Sequence, residues 1–108
     1  MTQTNEDFDW ETLYFQMISA AGTSKSDYVE ALQAAKEGDW DTSEKLIKHG
    51  DKEFNTGHQM HTDLVQREAA GSPVKVTLLL AHVEDQMMAT ETIKLLILEL
   101  IDVYRRIG

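Results

Sequence analysis

Val74-Lys-Val-Thr-Leu-Leu-Leu-Ala-His-Val-Glu-Asp-Gln-Met-Met-Ala-Thr-Glu-Thr-Ile-Lys-Leu-Leu-Ile-Leu-Glu-Leu-Ile-Asp-Val-Tyr-Arg-Arg-Ile107 contains neither glycine nor proline, and it lies between Gly71-Ser72-Pro73 and Gly108. The run predicts a helix of roughly 34 residues, about 50 Å long at 1.5 Å per residue. Ser72 is expected to cap it and Pro73 to occupy its first turn, where a missing N–H does no harm. Val76, Leu80, Val83 and Met87 form one apolar row, which Ile93, Ile97, Leu100, Tyr104 and Ile107 continue. Leu78, His82, Asp85, Ala89, Thr92 and Leu96 form a second row on another side. Two rows exceed what two neighbours in a small bundle cover, so this helix is expected to pack against another chain as well.

Upstream, Leu13, Met17, Ala20, Ala21, Ser24, Tyr28, Ala31, Leu32 and Ala35 recur at helical spacing and predict a first helix. Gly38 is suited to a left-handed helix end, and Asp39 to capping a second helix from Trp40. The second stripe runs through Ser43, Ile47, Gly50, Phe54, His58, His61, Val65 and Glu68. Gly50 and Gly57 cost about 1 kcal/mol each against alanine inside a helix, which points to close backbone approach by a neighbour. No segment alternates in the manner of a strand, and no unit repeats. The fold read from these patterns is all-α, an antiparallel three-helix up-down bundle. A chain of 108 residues with 42% hydrophobic content supports one modest core, so residues 1–108 are read as a single domain with residues 1–8 as a flexible tail.

Composition removes several function classes. With 19 acidic against 10 basic residues, a net charge of -9 opposes a nucleic-acid partner, whose binding depends on Lys and Arg neutralising phosphates. Cysteine is absent, so disulfides and thiolate metal clusters are unavailable. No leader segment and no run of about 18 apolar residues is present, so no membrane insertion is expected and a cytoplasmic location is.

Chemistry concentrates around Lys75 to Thr90, where polar residues interrupt the most apolar helix. Asp85 and Gln86 follow His82 by three and four residues, which places all three on one side of a helix. A histidine satisfied by a neighbouring acid at a bundle edge has the same spacing, so the pattern alone does not assign a role. The stretch from Leu78 through His82, Asp85 and Met87-Met88-Ala89-Thr90 resembles the active-site helix of the lactose/cellobiose-class enzyme IIA proteins of the sugar phosphotransferase system (PTS), especially the cellobiose and diacetylchitobiose branch. Leu32-Gln-Ala-Ala-Lys-Glu-Gly-Asp-Trp40 resembles that family's first interhelical turn, and His58, Thr62 and Leu64 its second helix. The likeness extends from about Leu13 to Tyr104.

The resemblance implies that His82 is phosphorylated by HPr and passes the phosphoryl group to a cysteine of the cognate enzyme IIB, during uptake of a β-linked disaccharide of the cellobiose, chitobiose or lactose type. It also implies a homotrimer in which Asp85 binds a metal at the threefold axis, with Mg2+ at one ion per trimer expected from the oxygen ligands. Two places depart from the family's usual pattern: Glu84-Asp85-Gln86 stands where Gln-Asp-His is common, and His61 where Gln is common. Gln86 offers an amide donor that does not titrate. Together with His58 and His61 it is a candidate for supporting contacts to His82. A competing reading makes His58, His61, His82 and Asp85 the ligands of a transition-metal site in the bundle. A helical-repeat scaffold is excluded by the single copy of the Ala34–Lys45 hairpin, since such repeats need about three units for stability.

Overall fold

The computed structural model describes residues 9–108; the tail read over residues 1–8 lies outside them. Three antiparallel helices follow one another, α1 (Trp10–Lys36), α2 (Trp40–Ala69) and α3 (Leu78–Ile107), in a bundle measuring 56 × 21 × 21 Å. No strand occurs among the described residues. Asp9 caps α1 by accepting from the Thr12 amide at 3.1 Å, and Asp39 caps α2 by accepting from the Thr42 amide at 3.2 Å. The first two helices end alike. Gly38 and Gly71 take positive φ of 77° and 92°, and the amides of Asp39 and Ser72 bond back to the carbonyls of Ala34 and Arg67.

The third helix begins later than the sequence suggested. Ser72 is held by the end of α2, residues 73–77 are not helical, and Thr77 caps α3 by accepting from the Leu80 amide at 3.1 Å. Val74 packs on the core from this segment. Three β-branched residues, Val74, Val76 and Thr77, favour the extended chain over a first helical turn.

Helix α1 packs along both α2 and α3, whereas α2 and α3 approach each other little. The α2 seam against α1 is Ser43, Gly50, Gly57 and Leu64, all buried, in strict steps of seven residues. This corrects the stripe in its second half, where His58 and Val65 are exposed. The predicted close approach is present: a Cβ at Gly50 would lie 2.8 Å from Cε1 of Tyr28, and one at Gly57 would lie 3.0 Å from Cβ of Ala20. On α3 the inward residues are Leu80, Val83, Met87, Thr90, Ile97 and Ile101, so Leu100 and Ile107 of the predicted row face outward and Val76 lies before the helix.

The apolar core has two clusters. One gathers Tyr14, Met17, Ala21, Leu64, Leu80, Val83 and Met87, and the other Tyr28, Ala31, Ala35, Ile97 and Ile101. A polar layer separates them. The Tyr28 hydroxyl donates to Asp51 at 2.6 Å, Lys94 of α3 pairs with the same Asp51 oxygen at 2.7 Å, and His49 Nδ1 lies 2.5 Å from the Asp27 carboxylate. Burial, reinforced by the Asp51 hydrogen bond, drives the Tyr28 pKa well above the ordinary phenol range.

The hydrogen bond to Asp27, together with its charge, raises the His49 pKa above the usual histidine value. A raised folded-state pKa contributes stability that is complete below about 6.5, the unfolded value, and is lost as pH climbs through the folded one. Chemical denaturation should therefore show the stability gap between the native chain and His49→Gln shrinking as pH rises from about 5.5 to 9. A gap that widens over that range would reverse the assignment.

Candidate functional site

His82 stands in the second turn of α3, exposed, with no hydrogen bond from any described residue. Asp85 is likewise exposed and unpaired among the described residues, and Gln86 is half-buried with no hydrogen bond. The helix does put the three on neighbouring positions, yet neither Asp85 nor Gln86 is bonded to the imidazole. Both His82 nitrogens are open to a reactant.

The second row of α3 turns away from α1 and α2. Leu78 is 88% exposed, Leu96 57% and Val103 48%, so a long apolar face runs beside His82 and Asp85 without a partner in its own chain. Met88 and Leu95 widen it. Patches of this kind on a single chain mark interaction surfaces.

The other two candidates lie on α2. His58 is exposed and stacks on Phe54, with ring centroids 6.1 Å apart and planes at 17°. His61 is half-buried and its Nδ1 lies 2.8 Å from Oε1 of Glu84. Neither is a buried core residue. Glu84, which the sequence marked only as a departure from a family pattern, is thus the partner of the other departure, His61. Nothing in the spacing of 23 residues signalled that bond. The Asp27–His49 pair of the polar layer also went unread, because the two sit in different helices and His49 interrupts no apolar run.

A four-ligand metal site is not formed within the chain. Among the described residues no three His, Asp or Glu side chains gather in a metal-holding group. The His58 and His61 rings are 6.3 Å apart, His61 is taken by Glu84, and Asp85 faces outward from α3. The competing transition-metal reading is set aside on that geometry.

No helix among the described residues is long and apolar enough to cross a membrane. Residues 12–105 match the family described as "PTS system, Lactose/Cellobiose specific IIA subunit". The lichenan-specific phosphotransferase enzyme IIA component of Bacillus subtilis is 34% identical over 99 residues, covering 92% of this chain and 90% of that one. Among solved structures, the PTS cellobiose-specific enzyme IIA from Bacillus anthracis superposes with a TM-score of 0.86 at 31% identity, covering 98% of this chain and 94% of that one. The IIA(chitobiose) chain of an Escherichia coli complex with HPr superposes with a TM-score of 0.81 at 26% identity, covering 93% and 97% of the two chains.

Proposed function

The chain belongs to the lactose/cellobiose-specific IIA family of the PTS, whose members are phosphotransferase components of sugar uptake, and from that membership we propose that it carries the phosphoryl group on His82. The observation that carries this reading is an exposed imidazole, unpaired among the described residues, beside an apolar face on α3. A neutral imidazole nitrogen is a competent nucleophile near neutral pH, and phosphoryl transfer asks a protein chiefly for in-line positioning and charge stabilisation. The donor is the phosphohistidine of HPr, in keeping with the relative solved as a complex with HPr. A nitrogen–phosphorus bond forms at His82 as the one on HPr breaks. The group then passes to a cysteine sulfur of the cognate enzyme IIB. The disaccharide need not touch this chain, and the cytoplasm is where these steps occur. Incubation with labelled phosphoenolpyruvate, enzyme I and HPr tests the reading: one acid-labile phosphoryl group per chain is expected, discharged by addition of enzyme IIB.

The exposed row of α3 is covered by two further copies in a homotrimer, with Asp85 of each chain at the shared axis. Its carboxylate suits this place, being exposed, unpaired among the described residues and set in a row with Leu78, His82, Ala89, Thr92 and Leu96. Three carboxylates meeting in an apolar interface repel one another unless a cation joins them. Oxygen donors suit Mg2+, which when bound offsets their negative charge. Light scattering should give three times 12.3 kDa. Asp85→Leu should leave a trimer at least as stable as the native one and insensitive to chelator. Dissociated chains from that variant would overturn the axial role.

A further inference from the structure

The gap between α2 and α3 is crossed by side chains rather than closed by backbone contact. Asp51 meets Lys94 at 2.7 Å in the middle of the bundle, and Glu44 meets Arg105 at 3.5 Å toward the end of α3. His61–Glu84, at 2.8 Å, lies at the height of His82. Here α3 is newly begun: it emerges from the non-helical residues 73–77, its first residue Leu78 is exposed, and Leu80 and Val83 fasten it to the core. Glu84 follows His82 by two residues, about 200° around the helix, so the two project from opposite flanks of one turn.

We propose that His61 and Glu84 are positioning residues for phosphoryl transfer to His82. Their bond ties one flank of the α3 turn to α2, which fixes the rotation of that turn about its own axis and hence the direction in which the imidazole on the other flank points. In-line transfer is sensitive to such rotation, because the attacking nitrogen must lie on the axis of the breaking bond. Both half-buried side chains give up water for a single partner, so removing either leaves the other without its bond. A glutamine at one end alone still offers the other a partner, its amide N–H donating to Glu84 or its carbonyl oxygen accepting from His61, so only a side chain without hydrogen-bonding groups breaks the pair. This inference rests on His82 being the phosphoryl acceptor.

Single-turnover transfer from phospho-HPr to the assembled protein tests it with four chains: native, His61→Leu, Glu84→Leu and the double variant. Each single variant should lose about fivefold in limiting rate, with the HPr concentration for half-maximal rate unchanged. The double variant should lose no more than either single one, because the same bond is broken only once. All four should finish with one phosphoryl group per chain. Should a single variant fail to fold, the exchanged pair His61→Glu with Glu84→His re-forms the bond and must regain the rate. Single variants as fast as native, a double variant slowed by the product of the two, or a loss confined to HPr affinity would each overturn the positioning role. His82→Ala in the same assay keeps the two readings apart. If it takes label, the acceptor assignment has failed, whereas a blank His82→Ala beside an additive cycle removes only the role of the pair.

Discussion

Replacing His82 by alanine is expected to abolish labelling by phosphoenolpyruvate, enzyme I and HPr, with helix content unchanged. The side chain is exposed and bonded to no described residue, so its loss costs the fold little. The other three histidines are poor substitutes. Nδ1 of His49 is held by Asp27 in the polar layer, Nδ1 of His61 is held by Glu84, and His58 stacks on Phe54 one turn before it on α2. His58→Gln and His61→Gln should therefore both keep the full extent of labelling. Label persisting on His82→Ala would move the acceptor to one of these three.

The largest effect on stability is expected from Gly50→Val. Even the first carbon of the new side chain would stand 2.8 Å from Cε1 and 3.1 Å from Cδ1 of Tyr28, and 3.2 Å from Cβ of Asp27. Tyr28 is fully buried and tethered through its hydroxyl to Asp51, so its ring cannot step aside without breaking that bond. Overpacking of this kind costs about 1–3 kcal/mol, and the two further methyl groups of valine place the variant at the upper end or beyond. A fall in Tm on the order of 10 °C follows for a chain of this size, measured at fixed protein concentration because assembly also shifts Tm. Gly57→Ala should cost less. Its Cβ meets Ala20 at 3.0 Å, but the other neighbour, at 3.3 Å, is the flexible thioether of Met87. A Gly50→Val chain melting within a degree or two of native would mean that α1 and α2 separate there at little cost.

The sequence made the helix count, the two glycine-ended turns and the tight passage at Gly50 and Gly57 readable, because each depends on residues close in the chain. The inward face of α3 was read only in part over its second half, and the reason is chemical. Leu80, Val83, Met87, Thr90, Lys94, Ile97 and Ile101 follow one another in steps of three and four along the side facing α1. Two of these, Thr90 and Lys94, are polar, so a search for apolar periodicity skipped them; of the row it followed instead, Ile93 and Ile97 do pack on the core, whereas Leu100 faces outward. Thr90 and Lys94 are inward because partners await them on other helices: Asp51 receives Lys94, and the Ala21 carbonyl accepts from Thr90 at 3.4 Å. The second half of α2 was misread for the complementary reason, since Gly57 carries no hydrophobic signal while its neighbour His58 drew attention as chemistry. Of the site, His82 and Asp85 stood out by their position in an apolar run, whereas the His61–Glu84 bond depends on how two helices lie together.

The polar layer has a consequence for alignment. The α1 face toward α3 includes the small residues Ala21, Ala31 and Ala35, and a helix on such a face can slide by one heptad, about 10 Å, with modest loss of packing. Such a slip in α3 would carry Lys94 away from Asp51 into an apolar cluster and strand the carboxylate beneath Tyr28. Together with the Glu44–Arg105 and His61–Glu84 bridges, this rung therefore favours one register among those that the apolar contacts would accept. His82 lies twelve residues before Lys94 on the same rigid rod, about 18 Å away. The height at which the imidazole meets its partners thus depends in part on an ion pair that lies well away from it.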